Sequence, residues 1–314
     1  MKNIILGIDT SNYTTSVSLL GNDGELLANI KKPLPVSKGE CGLRQSEAVF
    51  SHIKNIPSIM EEARSVIGDN KILAVGVSAT PRKQPGSYMP CFLSGVSLAE
   101  GIAAALNVPI YRFSHQCGHI MAAIYSSGNF SLLARSFGAF HISGGTTELI
   151  RIEKYSSQGF DANLVGGTKD LNAGQIIDRI GVFMGLGFPA GQEMEKLAIC
   201  NKKPVPKRKI SSLGMEVNLS GLENLAKKLY TETYDKQLTS AFVFDYISRS
   251  IAAMGNAYIE RFGKEPLVFA GGVMSNSIIK SYLSDLFDAS FAEPQLSADN
   301  AVGIGYLTLR AHFG

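Results

Sequence analysis

Two histidines four residues apart, His115 and His119 in SHQCGHIMAA, carry the clearest chemistry in this chain. On a helix, positions i and i+4 share one face. Two imidazoles so placed can grip one divalent metal. Only five histidines occur among 314 residues, so the pair uses a scarce supply. A helix with two unrelated polar residues is the alternative, because HxxxH without context is a weak motif.

Three carboxylates stand where they could serve a site. Asp9 closes the first apolar run, NIILGI, and could hold a metal-bound water, orient a nucleophile or cap nearby backbone N–H groups. Asp178 falls within a helical segment and could bond ribose hydroxyls or simply be solvated. Asp299 precedes the last helical segment and reads first as an N-cap. A carboxylate beside two imidazoles would make a site with open metal positions, but spacing alone does not bring Asp299 to the histidines.

Three loops, DTSNYTTS, SGGTT and AGGVMSN, combine small hydroxyl residues or glycine at the ends of apolar runs. Glycine lets backbone approach an anion, and N–H groups at such turns form phosphate nests. One loop is an ordinary turn; three, each after a strand, fit a nucleotide cleft.

These residues need a scaffold of strands and helices. NIILGI (3–8) leads through a polar turn into VSLL, and GAFHI (138–142) leads through SGGTT into ELIRI. Two hairpins of one plan, about 130 residues apart, predict an internally duplicated α/β protein. ILAVGVS (72–78) and VPIYRF (108–113) read as strands. Helical periodicity runs over 47–66 with Pro57 inside it, 93–106, 173–184 and 236–262. The segment 201–209, NKKPVPKRK, is basic and proline-rich: an RNA-phosphate contact or a solvated surface loop.

Composition sets outer bounds. With 45% hydrophobic and 18% charged residues the chain is of globular type. A net charge of +3 neither demands nor excludes nucleic acid. Cys41, Cys91, Cys117 and Cys200 form no CxxC pair, and MKNIILGIDTS reads as a buried strand rather than an export signal. Reduced thiols and a cytoplasmic location are expected. No run of 18 apolar residues occurs, so no transmembrane helix is expected.

Taken together the motifs resemble the TsaD/Gcp/YgjD family of tRNA threonylcarbamoyl-transferases, formerly labelled O-sialoglycoprotein endopeptidases. The matching stretches run from ILGIDTS (5–11) through GVSLAEGIAAALNVPI (95–110), SHQCGHIMAA (114–123), ISGGTTELI (142–150) and AGQIIDRIGVFMGLGFPAGQEMEKLA (173–198). LSGLENL (219–225), FAGGVMSN (269–276) and ADNAVGIGY (298–306) complete them.

The resemblance implies an actin-like ATPase fold: two duplicated α/β lobes with a nucleotide and metal cleft between them. The lobes would be 1–112 plus 298–314 and 113–297. It implies one divalent metal, iron or zinc, on His115, His119 and Asp299. Ile142, Ser143, Gly144, Gly145 and Thr146 match the family's substrate loop, Asp178 its ribose-binding aspartate, Gly191 a glycine of its PGG turn, and Asn276 its adenine-side asparagine. The implied reaction moves a threonylcarbamoyl group from threonylcarbamoyl-AMP to N6 of the adenosine 3′ of a tRNA anticodon. Implied partners are tRNA, a related actin-like subunit and a small ATPase, with no membrane.

The chain also departs from the family pattern. The usual E-T-S-C-D-E-T is here Asp9-Thr10-Ser11-Asn12-Tyr13-Thr14-Thr15, so Tyr13 and Thr14 replace an acidic pair thought to assist transfer. Asp9 remains as a catalytic candidate. Cys117 stands between the histidines, Thr146 where His is common and Gln175 where Glu is common. These changes leave open a second reading: a paralogue that keeps the metal and nucleotide site but serves another acceptor or acts as a non-catalytic binding subunit. A metalloprotease would need the general-base Glu of HExxH, which is missing.

Overall fold

The computed structural model describes residues 2–11, 13–35, 43–156, 159–293, 296 and 301–314. They divide into two compact units, one of 1–130, 154–161 and 298–314, the other of 131–153 and 162–297.

The first unit begins with β1 (Asn3–Asp9), β2 (Thr14–Gly21) and β3 (Leu26–Pro33), followed by α1 (Gln45–Ile67), β4 (Lys71–Thr80), α2 (Phe92–Leu106), β5 (Ile110–Ser114) and α3 (His115–Ser127). Its five-stranded sheet has the order β3-β2-β1-β4-β5. β1 runs antiparallel to β2 and parallel to β4, with Asp9 opposite Ser16. β1 is central, so both faces are covered, and its near-continuous apolar run follows from that. On one face Ile4, Leu6 and Ile8 pack with Val75 and Val77, Ile59 and Ala63 of α1, and Ala99 of α2. α1 is continuous through Pro57.

The rest of the chain forms β6 (Phe137–Ile142), β7 (Thr147–Ser156), β8 (Gly159–Thr168), α4 (Ala173–Phe183), α5 (Gly191–Ile199), β9 (Ser212–Leu213) and β10 (Glu216–Val217). Then come α6 (Ser220–Thr233), α7 (Lys236–Phe262), β11 (Leu267–Ala270), α8 (Ser277–Ser284), β12 (Ala289–Phe291) and α9 (Val302–Phe313), the last returning to the first unit. The second sheet has the order β12-β11-β6-β7-β8-β10-β9. From β8 to β12, it repeats the plan of the first sheet: β6 is antiparallel to β7 and parallel to β11, which is parallel to β12. The duplicated hairpins expected from sequence are β1–β2 and β6–β7. Stacked rings of Phe140, Phe269 and Phe291, with centroids 4.9 and 4.8 Å apart, fill the inner strands of this sheet.

α9 lies against α3 at backbone distance. A Cβ on Gly303 would fall 1.8 Å from the Gly118 carbonyl oxygen, so any side chain there would push the two helices apart. No helix among the described residues is long and apolar enough to cross a membrane.

Candidate functional site

β1 and α3 position the first group of side chains. Ser114 caps α3 by accepting the Cys117 N–H at 3.2 Å. The Pro81 carbonyl accepts the Gln116 N–H at 3.1 Å, which satisfies another donor of the first turn. His115 and His119 then lie on one face of the helix, 8% and 6% exposed, with their Nε2 atoms 2.9 Å apart. Asp9, 1% exposed, places Oδ2 2.8 Å from His115 Nδ1 and accepts the Ser11 N–H at Oδ1, also at 2.8 Å. The loop that follows Asp9 is tied to α2, because Thr10 Oγ1 donates to the Cys91 carbonyl and accepts from the Gly95 N–H, each at 3.0 Å.

The donor set suits a divalent metal. Two imidazole nitrogens each about 2.0–2.1 Å from one ion would lie roughly 3 Å apart. An ionised carboxylate only accepts hydrogen bonds, so the ring nitrogen facing Asp9 carries the proton. That turns the Nε2 lone pair of His115 toward His119 Nε2, and a metal bound between the two would complete the arrangement of carboxylate, imidazole and metal common to histidine sites. Cys117 takes no part: its Sγ faces the Phe160 carbonyl oxygen at 3.8 Å. Asp299 and Asn12 lie outside the described residues. Asp9 meets only the Nδ1 of His115, and among the described residues no three histidine, cysteine, aspartate or glutamate side chains are placed to hold one metal ion together.

A second group is held on the other unit. The Ser143 N–H donates to the Thr146 carbonyl at 2.8 Å, and Ser143 Oγ accepts the Gly145 N–H at 3.2 Å, which closes the loop after the buried Ile142. Thr147 Oγ1 accepts the Ala173 N–H at 3.0 Å, and the Ser143 carbonyl accepts the Gly174 N–H at 3.2 Å. The loop therefore abuts the N-terminus of α4. A Cβ on Gly174 would come within 2.7 Å of Gly144 N, Gly144 Cα and the Ser143 carbonyl oxygen. Gly144 and Gly145 face open space. Gly271, at φ 99°, lies against Ile142, where a Cβ would fall 2.3 Å from its carbonyl oxygen.

Asp178 accepts the Ala190 N–H at 2.8 Å and so caps α5, whose first residue is Gly191. Burial pushes the Asp178 carboxyl above the ordinary carboxylate range, and the Ala190 N–H opposes this. Asn276 is the N-cap of α8, with Oδ1 accepting the Ile278 and Ile279 N–H groups at 3.1 and 3.0 Å. Gln175 acts locally. Its Oε1 accepts the Asn172 N–H at 3.1 Å in a capping box, a bond that a glutamate would also make.

Two relationships carry no sequence signal. Glu195 Oε1 accepts both the N–H and hydroxyl of Ser277, at 2.7 and 2.5 Å, linking α5 to the start of α8 across 82 residues. Asp9 meets His115 across 106 residues. Both are products of tertiary packing.

The family model for TsaD, tRNA N6-adenosine threonylcarbamoyltransferase, matches residues 27–306. Curated proteins of that name from Streptococcus pneumoniae (strain Taiwan19F-14) and Streptococcus gordonii (strain Challis) are each 31% identical, over 97% of this chain and 91% of theirs. The structure is similar to that of HypF from T. kodakarensis, with TM-score 0.62 and 13% identity over 99% of this chain and 47% of that one. It also resembles component A of the Acidaminococcus fermentans (R)-2-hydroxyglutaryl-CoA dehydratase, with TM-score 0.55 and 17% identity over 98% of this chain and 99% of that one. These structural likenesses establish the actin-like ATPase fold.

Proposed function

The chain belongs to the tRNA N6-adenosine threonylcarbamoyltransferase family of acyltransferases, and from that premise we propose that it transfers a threonylcarbamoyl group from threonylcarbamoyl-AMP to N6 of the adenosine 3′ of a tRNA anticodon. The observation that carries the reading is the Asp9–His115–His119 constellation, with its two Nε2 atoms 2.9 Å apart.

His115, His119 and Asp299 would hold a divalent metal, iron or zinc. Bound there, the ion would polarise the carbamoyl carbonyl as a Lewis acid. The fit rests on the two imidazole donors and on the carboxylate behind one of them; α9, which follows Asp299, packs on α3 through Gly303 and Gly118. Asp9 keeps the His115 proton on Nδ1 and fixes the ring.

On the second unit, Ile142, Ser143, Gly144, Gly145 and Thr146 would take the AMP phosphate. Glycine backbone open to approach and the adjoining N-terminus of α4 both favour an anion. Asp178 would bond the ribose through the carboxylate oxygen that does not cap α5. Gly191, and Asn276 with its spare amide N–H groups, would border the adenine. In the transfer, N6 bonds to the carbamoyl carbon, the bond from that carbon to the phosphate oxygen breaks, AMP leaves, and the N6 proton passes to the phosphate or to water. Tyr13 and Thr14 supply no carboxylate for that proton, so positioning carries more of the catalysis than a general base does.

The expected setting is the cytoplasm, with tRNA as acceptor and a related actin-like subunit and a small ATPase as partners. Tyr13 and Thr14 favour one other reading, in which the same site serves a different acceptor or a purely binding role. Incubating the chain with threonylcarbamoyl-AMP, unmodified tRNA and these partners, then reading the digested nucleosides by mass spectrometry, separates the two. Threonylcarbamoyl-adenosine is expected. Its absence while the nucleotide still binds would transfer support to the other reading.

A further inference from the structure

The segment 201–210 is held as a fixed basic strap. Asn201 closes on Lys203 through two hydrogen bonds, at 2.8 and 3.2 Å. Lys203 Nζ pairs with Asp235 at 2.8 Å, and Lys207 pairs with Asp245. Arg249 bonds the same Asp245 at 2.8 Å and also donates to the Arg208 carbonyl at 2.8 Å. Val205 and Ile210 pack on the core of the second unit, and Pro204 and Pro206 limit the backbone between them.

Five cations lie in this strap: Lys202, Lys203, Lys207, Arg208 and Lys209. Asp235 and Asp245 engage Lys203 and Lys207. The heads of Lys202, Arg208 and Lys209 are exposed and have no acidic partner among the described residues. A solvated loop gains nothing from such anchoring; a surface that presents charge in fixed places does.

Aromatic rings continue the surface. Asp235, gripped by Lys203, follows Tyr234, which ends α6 at φ 51° and is 76% exposed. Tyr230 lies 5.9 Å from Tyr234, Phe183 lies 6.0 Å from Tyr230, and Lys227 Nζ stands 5.6 Å over Phe183. Lys227 is held by Glu223, but the unpaired strap cations and the exposed rings of Tyr234 and Phe183 suit a sugar-phosphate backbone with unstacked bases better than a carboxylate-bearing protein, because every base offers a face to stack.

We propose that Lys202, Arg208 and Lys209, with Tyr234 at the Lys203 end of the strap, form a docking surface for the phosphate backbone of the RNA acceptor. The proposal rests on the tRNA reading given above and adds where the acceptor is held.

The test is equilibrium binding of unmodified tRNA to the full chain over a salt series from about 50 to about 300 mM. The Lys202→Ala/Arg208→Ala/Lys209→Ala variant loses no ion pair, and its melting temperature should match the parent. Its affinity should drop by about tenfold or more, and the slope of log affinity against log salt should flatten by roughly 2 to 3, since each of the three phosphate contacts contributes about 0.7–0.9. Tyr234→Ala should weaken binding about tenfold with the slope unchanged, as stacking is not ionic. An unaltered slope in the triple variant, or poly-glutamate competing as well as tRNA, would overturn the strap while leaving the tRNA reading intact. If the parent chain binds no tRNA, both the strap and the tRNA reading fall.

Discussion

Asp9 holds His115 by the ring nitrogen that a metal would not use: Oδ2 lies 2.8 Å from Nδ1, and the other ring nitrogen faces His119. The proposed site makes Asp9 a positioning residue. Asp9→Asn should reveal it. An asparagine keeps the shape and can still accept the Ser11 N–H, but it can turn an N–H toward Nδ1. His115 would then carry its proton on Nε2 and lose its ligand lone pair. Metal affinity, measured by competition with a chelator, should fall about 10- to 100-fold while the fold is retained. Unchanged affinity would remove Asp9 from the site.

Gly174 and Gly144 make a matched pair. Gly174→Ala puts a Cβ 2.7 Å from loop backbone and should displace the Ser143–Gly145 turn, whereas Gly144→Ala enters open space. Titration with an adenine nucleotide should show a loss of about tenfold or more for Gly174→Ala and a small change for Gly144→Ala in the folded proteins. Equal effects would mean that the turn does not depend on this close approach.

Asp170 tests the packing of the second unit. Burial alone would raise its carboxyl, but hydrogen bonds from Ser220, Leu219 and Leu171 outweigh it and bring the carboxyl down to about 2. A lowered carboxyl stabilises the fold above its ordinary value of 3.8, and that contribution disappears as pH falls toward 2. Allowing for solvent exposure, Asp170→Asn should cost about 1–2 kcal/mol at pH 7 and almost nothing near pH 2. Denaturant melts at the two pH values would show this; an equal cost at both would contradict the assignment.

Asp178 has the opposite sign. Its raised carboxyl stabilises the fold fully below the ordinary value of 3.8, and this is lost as pH climbs through the higher folded-state value. Asp178→Asn keeps an acceptor for the Ala190 N–H without the buried charge. The variant should gain on the parent in melting temperature from pH 4 toward pH 7, yet bind adenosine nucleotides about tenfold more weakly. A variant with undiminished nucleotide affinity would confine Asp178 to capping α5.

Much of the scaffold was legible because its signals are local. The apolar runs at 3–8 and 138–142, with their polar turns, are periodic over a few residues and mark the duplicated hairpins. The HxxxH spacing places both histidines on one helical face for the same reason. What the sequence does not reveal is who meets whom over long separations: Asp9 with His115, Glu195 with Ser277, Gly174 with Ser143. Asn276, expected beside the adenine, also caps α8, and a single motif is silent on how one amide divides its donors and acceptors. The strap at 201–209 reads as a plain charged loop until Asp235, Asp245 and Arg249 are seen to fasten it.

The most direct test reads metal content and product in the same samples. The parent chain, Asp9→Asn and His115→Ala would each be assayed for bound divalent metal and for threonylcarbamoyl-adenosine formed on tRNA with the partners present. About one ion per chain and clear product are expected for the parent, with metal and product falling together in Asp9→Asn and both lost in His115→Ala. Product formed by a metal-free parent chain, or by His115→Ala, would contradict the assignment of this site to the transfer.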